Sequence, residues 1–404
     1  MCDNIFKKNI SDECECDYMK TYSSQGFSGA TINSIKCLKE QNILKVNPLS
    51  EYYIKLRKET NKYIFIEMDG FTIQTIINTY VYREVPNNTI NIINSGACKS
   101  VNKKLFNKNS NYYGYNLMEE ANLGDGYKFF LKLLVGNFDD EFNITNEDKR
   151  YLVITNFLLQ CILIIGHLQC SSLEFFHGDY KPENVFIKRS NKNTITHFTF
   201  KVFGKIIKVK NMGFAVLIAD FDRSSITIKD DLIEKKYRLI PPILFKPFLT
   251  SNVNNIINNY GDIDPDNILE SSGNKDYLKN GVKIEKMFIS KLVPRKMDPT
   301  ITILRSAGIK LFRDFDLYTF FIRLIETKNI RKYFIDKRFT ETIMSFMSKT
   351  FIKELLNTPV KVLSQNESAL VAVEIFNKIK EPMNSIFSDN YIDRLKSLNY
   401  KLFK

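Results

Sequence analysis

Residues 177–187 read HGDYKPENVFI. Gly178, Asp179, Pro182 and Asn184 are residues that also make ordinary polar turns, each for its own backbone reason. The spacing nevertheless places an acid at 179, an amine at 181 and an amide at 184 on one loop, where they can converge on a phosphoryl group and its metal. The flanks favour that sharper reading. Before the loop, positions 147–169 form a long, largely apolar stretch with helical spacing, and after it VFI (185–187) has strand character. Further on, the apolar run AVLIA (215–219) ends in a second aspartate turn, Asp220-Phe221-Asp222.

Transfer of a γ-phosphoryl group requires a cradle for the phosphates, cations to neutralise charge and a carboxylate to orient the attacking hydroxyl. Asp179 is suited to accept that hydroxyl's proton, and Lys181 can reach the γ-phosphate. Asn184 offers a neutral oxygen, and Asp220 a charged one, for an octahedral Mg²⁺ shell completed by phosphate and water.

Outward from the loop, the segments change character along the chain. KTYSSQGFSGATINSIKCL (20–38) holds a Gly/Ser turn between two strand-like pieces, and EYYIKLR (51–57) alternates as a strand does. FTIQTIINTYVY (71–82) has helical periodicity, TINII (89–93) and YYGYNLMEE (112–120) read as strands, and LGDG is a connector. Helices are expected at 127–135 and from 147 to about 169, strands again within 198–219, and several helices after Arg313. The Asn-rich TSNVNNIINNYGDIDPDN (250–267) has the composition of an exposed insertion. No internal repeat is visible.

Composition narrows the classes. A chain of 404 residues with 44% hydrophobic and 25% charged residues suits a globular protein with a sizeable core, Phe-heavy because it holds 32 Phe, 20 Tyr and no Trp. The net charge of +13 favours acidic partners, yet the basic residues form no long block and no zinc-finger spacing, so no specific nucleic acid is expected. Seven cysteines, including a lone Cys14-x-Cys16, fit reduced thiols in an intracellular setting rather than a disulfide frame or zinc site. MCDNIFKKNI lacks the apolar core of a signal peptide. YLVITNFLLQCILIIGHL (151–168) is interrupted by Thr155, Asn156 and Gln160, which marks a buried helix rather than a membrane span.

HGDYKPENVFI resembles the catalytic loop of protein kinases, usually HRDxKxxN, matching at His177, Asp179, Lys181 and Asn184, and VLIADFD resembles the DFG-bearing strand and turn. The resemblance implies an α+β, bilobal protein-kinase-like fold: an N-terminal extension (1–19), a small β-rich lobe (20–120), and a larger mainly helical lobe (121–404) with an enlarged activation segment at about 224–300. It implies ATP and Mg²⁺, or Mn²⁺, as cofactors. SQGFSG then corresponds to the phosphate-covering glycine loop through Ser24, Gly26 and Gly29, and Lys55 in YYIKL to the lysine on the α- and β-phosphates. For that lysine's helix partner, spacing points to Gln74, with Glu67 and Glu84 flanking, and the choice stays open. Leu117–Glu120, with Glu119, resembles the adenine-binding hinge, and Asp125 lies where the ribose is expected. Asp316 in DFDLYTFF resembles the aspartate that supports the catalytic loop. Two departures stand out. Asp222 replaces a glycine, with loss of backbone freedom. Gly178 replaces the arginine that commonly contacts an activation-loop phosphate, so activity is expected to be independent of such phosphorylation.

The combination, with no Ala-Pro-Glu stretch and an Asn/Ile/Lys-rich chain, resembles the poxvirus serine/threonine kinases of virion morphogenesis. That resemblance implies serine and threonine of viral proteins as substrates, in cytoplasmic factories near membranes derived from the endoplasmic reticulum; a basic surface would there favour peripheral contact with anionic lipid, and the oligomeric state stays open. Two alternatives accompany it: a small-molecule (aminoglycoside- or sugar-type) phosphotransferase, since HGD is also spelled there, and a non-catalytic pseudokinase scaffold.

Overall fold

The computed structural model describes residues 16–24, 31–37, 40–49, 54–59, 63–98, 112–229, 235–240, 315–325, 330–331, 349–358 and 402. They form a mixed α and β structure with several small sheets. In chain order the strands and helices are β1 (Cys16–Ser24), β2 (Thr31–Cys37), β3 (Glu40–Leu49), β4 (Ile54–Glu59), β5 (Tyr63–Met68), α1 (Gly70–Glu84), β6 (Ile92–Cys98), β7 (Tyr112–Glu119) and β8 (Gly124–Asp125). They continue as α2 (Gly126–Leu134), α3 (Asp139–Phe142), α4 (Glu147–Cys170), β9 (Val185–Arg189), β10 (His197–Val202), β11 (Lys205–Lys210), β12 (Phe214–Ile218), β13 (Ile226–Lys229), β14 (Lys236–Ile240), α5 (Phe315–Ile325) and α6 (Lys349–Asn357).

Five strands pair antiparallel in the order β1-β2-β3-β7-β6. β3 sits at the centre, and both its faces are covered: Leu44 and Val46 are buried on one side and Lys45 on the other. Helix α1 starts where Asp69 Oδ1 accepts from the amides of Phe71 (3.1 Å) and Thr72 (2.9 Å), which satisfies two of the unpaired N–H groups of a helix start. Its buried stripe, Phe71, Ile73, Gln74, Ile77, Asn78 and Val81, carries two polar side chains: Asn78 Nδ2 donates to the Ile90 carbonyl at 3.0 Å, and the role of Gln74 lies in the site described below.

The core follows α4. Asn146 caps it, its Oδ1 accepting from the Lys149 amide at 2.8 Å, and Glu147 and Asp148 complement the positive end of the helix dipole. The helix is long and apolar enough to cross a membrane, but it runs through the protein core. The polar interruptions visible in the sequence explain this placement. Gln160 Nε2 donates to Asn156 Oδ1 (2.8 Å), Gln160 Oε1 accepts from the Val216 amide (3.0 Å), and Asn88 Nδ2 donates to the Val216 carbonyl (2.9 Å). Asn156 Nδ2 also donates to the Lys210 carbonyl at 2.8 Å. These bonds fasten β11 and β12 to the helix; an unmatched buried polar group there would cost about 1–3 kcal/mol. Around them the Phe-rich composition becomes a ring cluster, with Phe129 5.2 Å from Phe138, 5.6 Å from Phe157 and 5.1 Å from Phe214.

A small antiparallel sheet, β12-β9-β8, places the two aspartate loops side by side. Its register runs from Phe214↔Arg189 to Ile218↔Val185, so the start of β9 and the end of β12 coincide. The Ala219 amide continues the ladder to the Asn184 carbonyl at 3.2 Å. Asn184 and Asp220 are neighbours for that reason, and a one-residue slip would reverse the faces of the whole strand. Beyond the second loop, β13 pairs antiparallel with β14, and β14 pairs parallel with β5, giving the sheet β13-β14-β5-β4.

Candidate active site

The loop 177–184 is held from below. Asp316, fully buried at the start of α5, accepts from the His177 amide (2.9 Å) through Oδ2 and the Gly178 amide (3.0 Å) through Oδ1. Burial pushes its carboxyl up to about 7, against the pull of those two donors. His177 is buried, its Nε2 lies 3.0 Å from the Ala219 carbonyl, and burial lowers its pKa. Tyr180 is buried as well, its ring 5.1 Å from Phe320 and its hydroxyl donating to the Cys161 carbonyl at 2.9 Å. Alternate loop residues are therefore anchored inward, and the intervening Asp179 and Lys181 stay partly exposed.

Those outward groups form a compact set. Lys181 Nζ lies 2.7 Å from Asp179 Oδ2. Asn184 Nδ2 donates to the Asp179 carbonyl (2.8 Å) and to Asp179 Oδ2 (3.0 Å). Both amide hydrogens of Asn184 are thus used, which fixes the flip of the amide and leaves Oδ1 outside these bonds, the orientation a metal ligand requires. With Asp220 the donor set is hard oxygen, the kind suited to Mg²⁺ or Mn²⁺.

Asp220 itself sits in the left-handed region (φ 67°, ψ 61°), an uncommon conformation for a residue with a side chain and one that recurs at functional sites. The next residue, Phe221, is buried with its ring 5.5 Å from His177 and 5.9 Å from Phe175. The two aspartate loops are thus packed through their aromatic residues.

The lysine that meets Asp220 is Lys45. Its Nζ is 2.5 Å from Asp220 Oδ1 and 3.0 Å from Gln74 Oε1. Burial alone would lower the ammonium's pKa; Asp220, Asp222 and Asp179 outweigh it and hold the group above its ordinary value. Asp220 stays low despite burial because Lys45 faces it. Asp222, half-buried in the neighbouring turn, is pushed up to about 7 by desolvation and by the charge of Asp220. The expectation for Lys55 is corrected accordingly: Lys55 lies on β4, opposite Glu67 on β5, in a different sheet from β3. What decides is the strand: from the central β3, the Lys45 side chain reaches both Gln74 on α1 and Asp220. β3 went unread in the sequence, although its apolar run NILKV (42–46) is the signal that could have found it; Pro48 in the same segment argues against a central strand. Of the three helix-partner choices, Gln74 is the one placed on Lys45.

The other expected residues fall as follows. Ser24 is the last residue of β1, opposite Thr31 at the start of β2. Gly26 and Gly29 lie outside the described residues, as does the Asn-rich stretch 250–267. Glu119 ends β7, where its Oε1 accepts from the Asn91 amide at 3.0 Å and its Oε2 pairs with Lys188. Its carboxylate therefore joins β7 to β9. Asp125 is the N-cap of α2, accepting from the Lys128 amide at 2.8 Å.

Gly178 has a steric cause. Its φ is +78°, and a Cβ there would lie 2.3 Å from the Arg223 carbonyl oxygen. The backbone that follows Asp220 occupies the space of any side chain at 178. The segment after the turn is secured instead by Arg238 on β14, which donates to the Glu174 carbonyl (2.7 Å), Thr227 Oγ1 (2.9 Å) and Ser225 Oγ (2.7 Å).

No protein-family model matches the chain. The chain is 23% identical over 299 residues to a protein of Acanthamoeba polyphaga mimivirus provisionally named a serine/threonine-protein kinase, a match covering 71% of this chain and 38% of that protein. The chain therefore spans well under half the length of that relative. Among solved structures it is similar to the BubR1 kinase domain, with a TM-score of 0.30 and 14% identity over 52% of this chain and 47% of the other.

Proposed function

We propose that this chain is an ATP- and metal-dependent protein kinase of bilobal form, dividing near residue 120, that phosphorylates serine and threonine. The observation carrying the proposal is the convergence of Lys45, Asp179, Lys181, Asn184 and Asp220 from three separate segments of the chain. The sequence likeness to a viral protein named as a serine/threonine kinase supports it.

In this reading Asp179 accepts the proton of the attacking hydroxyl, and Lys181, 2.7 Å from it, neutralises charge on the phosphoryl group in transfer. Asn184 and Asp220 would hold Mg²⁺, which would offset the negative charge of the phosphates. Lys45, steadied by Gln74, exchanges its contact with Asp220 for the nucleotide phosphates. Glu119 and the residues after it are assigned to the nucleotide's adenine end, and Ser24, Gly26 and Gly29 to its phosphates. The proposal extends to viral proteins as substrates, in the cytoplasm of an infected host. One observation favours the non-catalytic scaffold instead: Lys45 meets a neutral Gln74 rather than a carboxylate on α1.

Incubating the chain with labelled ATP, Mg²⁺ and a mixed protein substrate, followed by phosphoamino-acid separation, tests this reading. Phosphoserine or phosphothreonine supports it. Label on an aminoglycoside or sugar but not on protein moves the assignment to small-molecule transfer, and Mg-ATP binding without transfer moves it to the scaffold.

A further inference from the structure

The hairpin β10–β11 has two unlike faces. Phe198, Phe200, Val202, Ile207 and Val209 are buried, and the hairpin packs on α4. In the register Thr199↔Lys208 and Lys201↔Ile206, the residues between them make the outer face. There Lys201, Lys208 and Lys210 are exposed, together with Ile206 at 63% exposure. Lys205 flanks the tip, and residues 196–212 contain no Asp or Glu. The adjoining surface carries Glu84, which lies 3.6 Å from His167 Nε2.

The tip is unusual. Phe203 and Gly204 both have positive φ, +49° and +75°. That is the pattern of a type I′ turn, which strongly favours Asn-Gly. An aromatic residue at the first position is a backbone outlier, and this one is 38% exposed. A position where folding favours Asn instead presents a large apolar ring to solvent, beside exposed Ile206 and a set of lysines. A strained and exposed residue of this kind is a pointer to function.

We propose that the β10–β11 hairpin is a membrane-contact element that docks on an anionic lipid surface, Phe203 and Ile206 entering the headgroup layer while Lys201, Lys205, Lys208 and Lys210 meet lipid phosphates and carboxylates. Charge complementarity selects an anionic surface, and the two apolar side chains select a bilayer over a phosphate backbone. The proposal stands apart from the catalytic reading, because none of these residues lies in the phosphoryl-transfer site.

Sedimentation of the full chain with phosphatidylcholine vesicles, with and without phosphatidylserine, tests it. Binding is expected only with phosphatidylserine, and it weakens as salt rises. Each Lys→Glu change at 201, 208 or 210 lowers the affinity about fivefold or more. Phe203→Asn is the sharper probe: it relieves the turn, so thermal stability holds or rises while vesicle binding falls, two changes that misfolding cannot produce together. Ile206→Ser lowers binding in the same way. Binding that ignores phosphatidylserine, or that survives Phe203→Asn with Ile206→Ser, overturns the proposal. So does binding to single-stranded nucleic acid that needs the lysines but not Phe203 and Ile206.

Discussion

Replacing Gly178 by alanine tests how the two aspartate loops fit together. At φ +78° an L-residue costs about 1–2 kcal/mol through the clash of Cβ with its own backbone. The added Cβ also meets the Arg223 carbonyl oxygen at 2.3 Å and Phe176 Cε1 at 3.2 Å. The first neighbour is backbone held between Phe221 and Ser224 and cannot swing aside as a side-chain end would. Forced overpacking of this kind adds about 1–3 kcal/mol, for a total of about 2–5 kcal/mol. Gly204→Ala supplies the control, because Gly204 has φ +75° and nothing within 4 Å of its added Cβ. It incurs only the conformational cost, about 1–2 kcal/mol. Urea unfolding of both variants and the parent, with affinity for Mg-ATP measured alongside, gives the comparison. Gly178→Ala is expected to lose clearly more stability than Gly204→Ala and to weaken Mg-ATP binding, since Arg223 must move next to Asp222. Gly178→Arg, which puts a far larger side chain at the same crowded position, is expected to be worse still. Equal losses for the two alanine variants would refute the steric account of Gly178.

Three further outcomes follow from the same contacts. Lys45→Ala is expected to weaken Mg-ATP binding about 10- to 100-fold, the worth of a hydrogen bond to a charged group, and Lys55→Ala to leave it unchanged by calorimetric titration. Gln74→Leu, which removes the neutral acceptor 3.0 Å from the buried Lys45 ammonium, is expected to cost about 1–3 kcal/mol in urea unfolding, whereas Gln74→Glu keeps an acceptor and costs less. Asp222 titrates at about 7 in the folded chain against an ordinary value of 3.8, so the folded state keeps a proton that the unfolded chain has released in between. That contribution is full at acid pH and lost as pH rises through about 7; thermal unfolding across this range should fall less steeply for Asp222→Asn than for the parent, with Asp316, shifted in the same direction, sustaining a residual slope.

The cluster on loop 177–184 was legible because its residues are local: Asp179, Lys181 and Asn184 lie on one short stretch, and the helix before it and the strand after it carry strong periodicities. α1, α2 and α4 were visible for the same reason. The lysine was not. Lys45 and Lys55 both follow apolar residues in strand-like runs, and the difference between them is which sheet each strand joins, a long-range pairing that no local pattern encodes. Gln74 was found by helical spacing but became a partner only when β3 was placed against α1. Gly178 shows a different limit. Read alone it suggested a missing regulatory arginine, and only the path of the chain at Arg223 supplies the steric reason. Thr155, Asn156 and Gln160 broke the apolar run in the sequence; two of them, Asn156 and Gln160, turn out to hold β11 and β12 in register with the loop.

In the proposed reaction, Asp179 is the group that accepts the proton of the attacking hydroxyl. Single-turnover transfer of label from ATP to protein, measured for the parent chain and for Asp179→Asn at saturating Mg-ATP, tests it directly. The account predicts a loss of about 100-fold or more in the transfer rate with Mg-ATP binding retained, the scale of a lost general base. An Asp179→Asn chain that transfers at the parental rate would contradict it.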